Sequence, residues 1–204
     1  MKKTLAFLMS SALFLTLNAQ PTELTGAFGL SFGCSKQDAK EMMRSKHSDA
    51  VIYQDKPESI TYTGGTWAGR ECAAWIFAFT DDNKLHTATV LLKPLKDDAI
   101  FDLYESVSKD MIGKYGEPKS KLESWKYPYE ASDKYKHGVV AIKNGKTHIS
   151  HFWSFPAGES NTEDDNNTIQ VKITDSCWLS VKYQNGVLID QAIAEDAKKN
   201  QGEM

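Results

Sequence analysis

Cys72-Ala-Ala-Trp-Ile-Phe-Ala-Phe79, then the polar Asp81-Asp-Asn-Lys84, then Leu85-His-Thr-Ala-Thr-Val-Leu-Leu-Lys93: this stretch decides the fold class. In the first arm Trp75, Phe77 and Phe79 fall on one face and Ala74, Ile76 and Ala78 on the other, the period-two alternation of a strand. Both faces are apolar, which predicts a strand covered on both sides or lying in an interface between subdomains. Asp81–Lys84 is a polar turn, and the second arm sets Leu85, Thr87, Thr89 and Leu91 opposite His86, Ala88, Val90 and Leu92. The whole reads as an antiparallel β-hairpin.

Further hairpins and helices extend the pattern on both sides. Upstream, Phe28-Gly-Leu-Ser-Phe-Gly-Cys-Ser35 alternates apolar and small residues. Ser35 then starts a helix over about 36–45, with Asp38 completing a capping box and Ala39, Met42 and Met43 forming its apolar side. Val51–Tyr53 and Ser59–Thr63 are β-branched and aromatic, separated by Pro57. Downstream, Asp97 or Asp98 opens a helix carrying Ile100, Leu103, Tyr104, Val107, Met111, Ile112 and Tyr115 at helical spacing, and Gly116 and Pro118 stop it. Glu123–Tyr127 is a short strand. Gly138–Lys143 and Lys146–Phe155 flank Asn144-Gly145, a two-residue hairpin signal. The acidic stretch over 156–167 is a loop. Thr168–Thr174 and Trp178–Gln184 form another hairpin, and Leu188–Lys199 is a last amphipathic helix. Hairpins dominate and no βαβ crossover is visible, so the class is α+β, with antiparallel meander sheets and packed helices. The order also reads as two tandem helix-plus-sheet units, about 26–93 and 97–184, joined at Lys93-Pro-Leu-Lys96 within a single domain over 20–204.

The amino terminus has the layout of a secretory signal peptide over 1–19. Lys2 and Lys3 precede an apolar run from Leu5 to Leu17, and Leu17-Asn18-Ala19 closes it with a small residue. The run is shorter than the about 20 residues needed to span a bilayer as a helix. A periplasmic or extracellular protein without a transmembrane segment is the expectation. A chain of 204 residues with formal net charge −3 gives no reason to expect nucleic acid as a partner.

The plan resembles a known group. Gly29-Leu-Ser-Phe-Gly33, then Ser35 capping a short helix, then meandering strands, is similar to the opening of exported bacterial proteins of the β-lactamase-inhibitor-protein type and of the small outer-membrane assembly lipoproteins. The helix ending Lys114-Tyr-Gly-Glu-Pro118 and the following Trp125 resemble a pattern of secreted bacterial proteins. The resemblance implies tandem α/β modules with a binding or inhibitory role, and it carries over no catalytic residue. Gln20 follows the expected cleavage point where the lipoproteins have Cys.

Candidate chemistry is sparse. In an oxidising compartment two of Cys34, Cys72 and Cys177 can pair; Cys34–Cys72 is the preferred pair, and three separate buried thiols is the alternative. Cys34 precedes a helix N-terminus and could act as a nucleophile with His47, His86, His137, His148 or His151 as base, but no catalytic signature surrounds it. His148 and His151 are three apart, which on a strand points them to opposite faces, so no metal site is expected there. Glu159, Glu163, Asp164 and Asp165 lack the spacing of a calcium loop and read as a solvated charge run. The glycine-rich Gly64–Gly69 precedes a strand and is a turn, not a phosphate cradle. No cofactor is implied. Trp67, Tyr127 and Tyr129 lie in loop-like segments, where aromatics anchor protein or sugar contacts. The leading expectation is an exported, non-enzymatic module that binds another protein through a sheet face or these aromatics. The alternatives are a small secreted hydrolase and a small-ligand carrier with a cleft between the two halves.

Overall fold

The structure is a computed structural model and describes residues 21–157 and 166–202. Residues 1–19, where a signal peptide is expected, and most of the acidic stretch, including Glu159, Glu163, Asp164 and Asp165, lie outside the described residues.

The chain opens with a two-stranded hairpin, β1 (Gly26–Ala27) and β2 (Leu30–Ser31), followed by helix α1 (Lys36–Lys46). Strands β3 (Val51–Lys56), β4 (Ser59–Thr63), β5 (Thr66–Trp67), β6 (Arg70–Phe79) and β7 (Leu85–Leu92) come next. A 3-10 turn at Asp97–Ala99 leads into α2 (Ile100–Tyr115), then β8 (Ser120–Trp125), α3 (Lys134–Lys143), β9 (Thr147–Phe155), β10 (Asn167–Ile173), β11 (Leu179–Gln184) and α4 (Gly186–Gly202). The main sheet runs β3-β4-β6-β7-β11-β10-β9-β8, with β5 paired to β6. All its pairings are antiparallel, so the fold is α+β. Each half runs helix first and strands after, and the last strands of the two runs, β7 and β11, meet in the middle with Val90 opposite Val181.

Burial alternates along the strands and puts the core on one face only. Ile60, Trp75, Phe77, Ala88, Val90, Val181, Ile169 and Val171 are fully buried on that face. Helices α1, through Ala39, Met42 and Met43, and α2, through Ile100, Phe101, Tyr104, Val107 and Met111, join the same core. Fully burying each such side chain contributes about 1.5–3 kcal/mol relative to leaving it exposed. The tip of the first hairpin completes this layer. Phe28 and Gly29 both have positive φ, as a tight hairpin turn requires, and Phe28 sits edge-on against Trp75 and Tyr183 at 5.2 and 5.1 Å between ring centroids.

The terminators of α1 and α2 act as their residues predict. Ser35 accepts from Asp38 N while Asp38 accepts from Ser35 N, a full capping box, and Gly116 closes α2 in a positive-φ conformation. The Trp153 indole also donates to the Gly116 carbonyl at 2.8 Å inside the core.

The structure corrects three expectations. The segment before Asn144-Gly145 is helix α3 and not a strand. Gly145 N bonds to Ile142 O and Lys146 N to Ala141 O, the paired bonds of a Schellman stop with Gly145 at φ 63. Asn-Gly supplies the same left-handed backbone to a hairpin turn and to a helix end, and here packing decides. Gly138 lies so close to the Phe101 ring that a Cβ would meet Phe101 Cζ at 2.5 Å, and Ala141 and Ile142 are buried beside it. Second, no disulfide joins Cys34 and Cys72; all three cysteines are free thiols. Cys34 is hydrogen-bonded through its backbone to Leu85, whereas Cys72 pairs with Leu92. Those two positions are opposite ends of β7, on the order of 20 Å apart at about 3.3 Å per residue, against under 7 Å between Cα atoms for a bridge. Third, β6 is covered on one side only. Its second face, Ala74, Ile76 and Ala78, belongs to a broad sheet surface that no helix among the described residues crosses except at one end.

Substituting Gly138→Ala should destabilise the protein by about 1–3 kcal/mol, because the new methyl overpacks the Phe101 ring. Intrinsic helix propensity alone predicts the opposite, a gain of about 1 kcal/mol. Urea unfolding of the two proteins decides between them.

Candidate functional site

The uncovered sheet face is built by the alternation itself. Opposite each buried residue stands a half-buried one. These are Thr61 on β4, Ile76 on β6, Leu91 on β7, Ser180 and Lys182 on β11, Gln170 and Lys172 on β10, and His148 and Phe152 on β9. The smaller Ala74, Thr89 and Ser150 are shaded by these neighbours. Cross-strand partners on the face are Ile76 with Thr89, Thr89 with Lys182, Lys182 with Gln170, and Gln170 with Phe152, so the surface is continuous across both halves. Short Ser, Thr and Ala side chains keep it shallow.

Helix α4 bounds this face at one end. Ile189, Ala192 and Ile193 lie over Ser59, Ala78, Thr87 and Gln184 around a cavity of about 330 Å³. Lys199 pairs with Asp81, Glu195 accepts from Asp81 N, and Gln191 donates to Asp82, which ties the helix to the turn between β6 and β7. Burial here holds His86 below its ordinary value against the opposing pull of Glu195 and Asp196.

Lys182 is held below its ordinary value by burial, with Lys172 adding to the effect. His148 is lowered by burial and by Lys172, with Asp175 opposing. His151, on the core face, packs against Tyr104 at 5.2 Å and Trp153 at 5.9 Å between ring centroids. The two histidines thus point to opposite faces, as the strand register predicts. Among the described residues, no group of three or more His, Cys, Asp or Glu side chains is placed to hold a metal ion. His137 is on α3 and not across a hairpin from His148 or His151.

The aromatics singled out from the sequence do not form one surface. Trp67 is half-buried on β5 and packs edge-on to Phe28 at 6.2 Å. Tyr127 is 91% exposed and Tyr129 half-buried, both in the loop after β8. Five strand steps separate β6 from β8 in the sheet, on the order of 25 Å at about 4.8 Å each. The open face has its own signal in the sequence: Thr168-Ile-Gln-Val-Lys-Ile173 and Leu179-Ser-Val-Lys-Tyr-Gln184 alternate strictly between apolar and polar, the mark of a sheet covered on one side.

Two other features bear on the alternatives. A cleft of about 780 Å³ opens between the halves, lined by Phe28, Lys46 and Trp67 from one and Met111, Lys114 and Tyr115 from the other. Ser108 Oγ and His151 Nδ1 are buried without hydrogen-bond partners near Tyr104, but neither lines that cleft. Burial pushes the Cys34 thiol up to about 11 and Cys72 to about 12, and raises Cys177, so all three stay protonated at neutral pH. No helix among the described residues is long and apolar enough to cross a membrane. No protein-family model, no curated protein and no solved structure matches this chain.

Native protein at neutral pH should react only slowly with iodoacetamide at its three cysteines, and all three should be alkylated once it is unfolded without reductant. Mass spectrometry reads both; a bridged pair in the unfolded sample refutes the separation of Cys34 from Cys72.

Stability should fall as pH drops from about 7.5 to about 5. His47, His86, His148 and His151 are all lowered by burial, so below the unfolded value of about 6.5 the unfolded chain binds more protons. The stabilisation is complete above that value and is lost as pH falls toward the folded ones. Melting temperatures at the two pH values check the sign, and His86→Gln should shrink the difference. The lowered carboxylates Asp38, Asp55, Asp82 and Glu105 act in the same sense only at more acidic pH.

Proposed function

We propose that this chain is an exported, non-enzymatic binding module that engages another protein across the open face of its sheet. The observation that carries the reading is the one-sided burial. Across the sheet from β4 to β9 one row of side chains is buried and most of the other is half-exposed, and among the described residues only α4 covers an end. From β6 to β8 the surface is six strands wide, on the order of 600 Å², close to the about 800 Å² that each partner contributes to a standard protein interface. A broad strand surface of this extent suits a protein partner, whereas a small molecule is bound in a concave site. The amino-terminal pattern of charge, apolar run and small residue supports export, and the resemblance in plan to exported inhibitory modules points the same way.

The cleft between the halves supports a second reading, a carrier of a small ligand, because it mixes apolar walls with Lys46 and Lys114. The two readings separate experimentally. The chain from Gln20 onward, immobilised, should retain a partner from envelope extract. Thr61→Trp with Ser180→Trp, which add bulk to the open face without touching the core, should reduce retention at least about tenfold. Trp67→Ala, on the cleft, should leave it unchanged, as should Tyr127→Ala. Undiminished retention by the double Trp variant, with its melting temperature intact, overturns the sheet-face reading; loss confined to Trp67→Ala favours the cleft.

A further inference from the structure

The centre of the open face carries its charge on β11, β10 and β9, while Ile76, Thr89 and Leu91 on β6 and β7 are uncharged. Lys182 on β11 stands opposite Gln170 on β10, and Lys172 is two residues further along β10 on the same face. Lys172 in turn stands opposite Ser150 on β9, and His148 is two residues from Ser150, again on the same face. Lys182, Lys172 and His148 therefore form a diagonal row across three adjacent strands, each step about 7–8 Å for such diagonal neighbours.

Among the described residues, no carboxylate on the strands of this part of the face neutralises the row. Among the described residues neither Lys172 nor Lys182 makes an ion pair, while Lys36, Lys40, Lys84, Lys121, Lys134, Lys143 and Lys199 all do. No Asp or Glu stands on this face of β7, β11, β10, β9 or β8. The carboxylate that His148 feels is Asp175, in the turn beyond β10. Like charges held this close on one sheet face oppose each other in the free protein, which is consistent with the lowered Lys182 and His148.

We propose that the protein partner presents a spread of carboxylates to the Lys182–Lys172–His148 diagonal. The inference rests on the sheet-face reading and adds the chemistry of the partner. The row is about 15 Å long by that diagonal spacing, too long for one small anion to bridge, and it lies on a flat surface of interface size. A nucleic acid fits less well. The chain carries net charge −3, and Glu195 and Asp196 on α4 rim the same face and would repel a continuous polyanion. Charge complementarity of this local kind orients a protein partner and speeds its approach.

The test uses the chain from Gln20 onward with poly-L-glutamate as the probe, followed by amide chemical shifts at low salt. Perturbations should centre on residues 148, 172 and 182. Lys172→Gln with Lys182→Gln should weaken binding at least about tenfold, as should a rise in salt beyond the range of screening. Inorganic phosphate and a DNA oligonucleotide at matched charge should leave these amides unmoved. Equal binding by the double Gln variant, perturbations centred elsewhere, or a stronger response to phosphate or DNA overturns the proposal. With a captured partner in hand, loss of capture by the double Gln variant supports it. Capture abolished by Ser180→Trp but untouched by Lys172→Gln with Lys182→Gln refutes the carboxylate assignment while leaving the sheet-face reading standing.

Discussion

Strand β7 hydrogen-bonds its hairpin neighbour β6 on one side and β11, far along the chain, on the other. The second pairing, from Leu92 with Leu179 to Thr87 with Gln184, turns two separate meanders into one sheet. Without it each half would expose an edge strand carrying Val90 or Val181, residues now fully buried. The entropy of closing so long a loop grows only slowly with its length, so the apolar row along this seam can offset it. Phe28 then covers the seam from the core side, touching Trp75 and Phe77 of β6 and Tyr183 of β11. A non-glycine residue at φ 55 is held in an uncommon conformation. The ring contacts across both halves are what hold it there.

Once the seam is formed, the distribution of helices follows from connectivity. Both α1 and α2 precede their strands and pack on the core face, each tied to its own half or to the join. Lys36 and Lys40 reach Asp55 on β3, and Arg70 at the start of β6 reaches Asp110 on α2 at 2.7 Å. Helix α3 packs beside α2 through Gly138 and the Lys134–Glu105 pair, so it thickens the covered side instead of crossing to the other. Among the described residues only α4 reaches the open face, and it stays at the end where the β6–β7 turn holds it. The outer strand β3 differs from the rest, since all six of its residues are exposed, including Val51, Ile52 and Tyr53. Its register shifts between Ile52 and Gln54, and Asp55 and Lys56 follow, features that discourage a second strand from adding at this edge.

Much of this was legible where one residue has one conformational use. Ser35 with Asp38 marks a helix start, and the apolar positions from Ile100 to Tyr115 before Gly116 mark a helix and its end. The alternation through Trp75, Phe77 and Phe79 marks a strand. Legibility failed where a local signal serves two structures. Asn144-Gly145 fits a hairpin turn and a helix stop equally, and the choice between them was made by Phe101, more than forty residues upstream, against which only a glycine at 138 fits. The hairpin's alternation also breaks at one point. The irregularity between Ala78 and Phe79 turns Leu85 into the core with Phe79, where strict alternation had grouped it with Thr87. The cysteine pair failed for a different reason: it required knowing which ends of the strands are neighbours, and sheet order is not written in any local pattern.

The same limit explains why the candidate site could not be seen as a site. Each strand shows which of its own residues turn outward, but the diagonal from Lys182 to His148 exists only because β11, β10 and β9 are adjacent and in this register. A shift of one residue between β10 and β11 would carry Lys182 to the core side relative to Lys172 and dissolve the row. Burial on the other face forbids that shift, because Ile169, Val171 and Ile173 must meet Tyr183, Val181 and Leu179. The core thus sets the spacing of charges on the surface it does not touch. It also makes the two halves chemically unlike. Thr61, Ile76, Thr89 and Leu91 give the centre of the first half an uncharged surface, and the lysines give the second a cationic one. A partner matched to both would be held in one orientation across the seam.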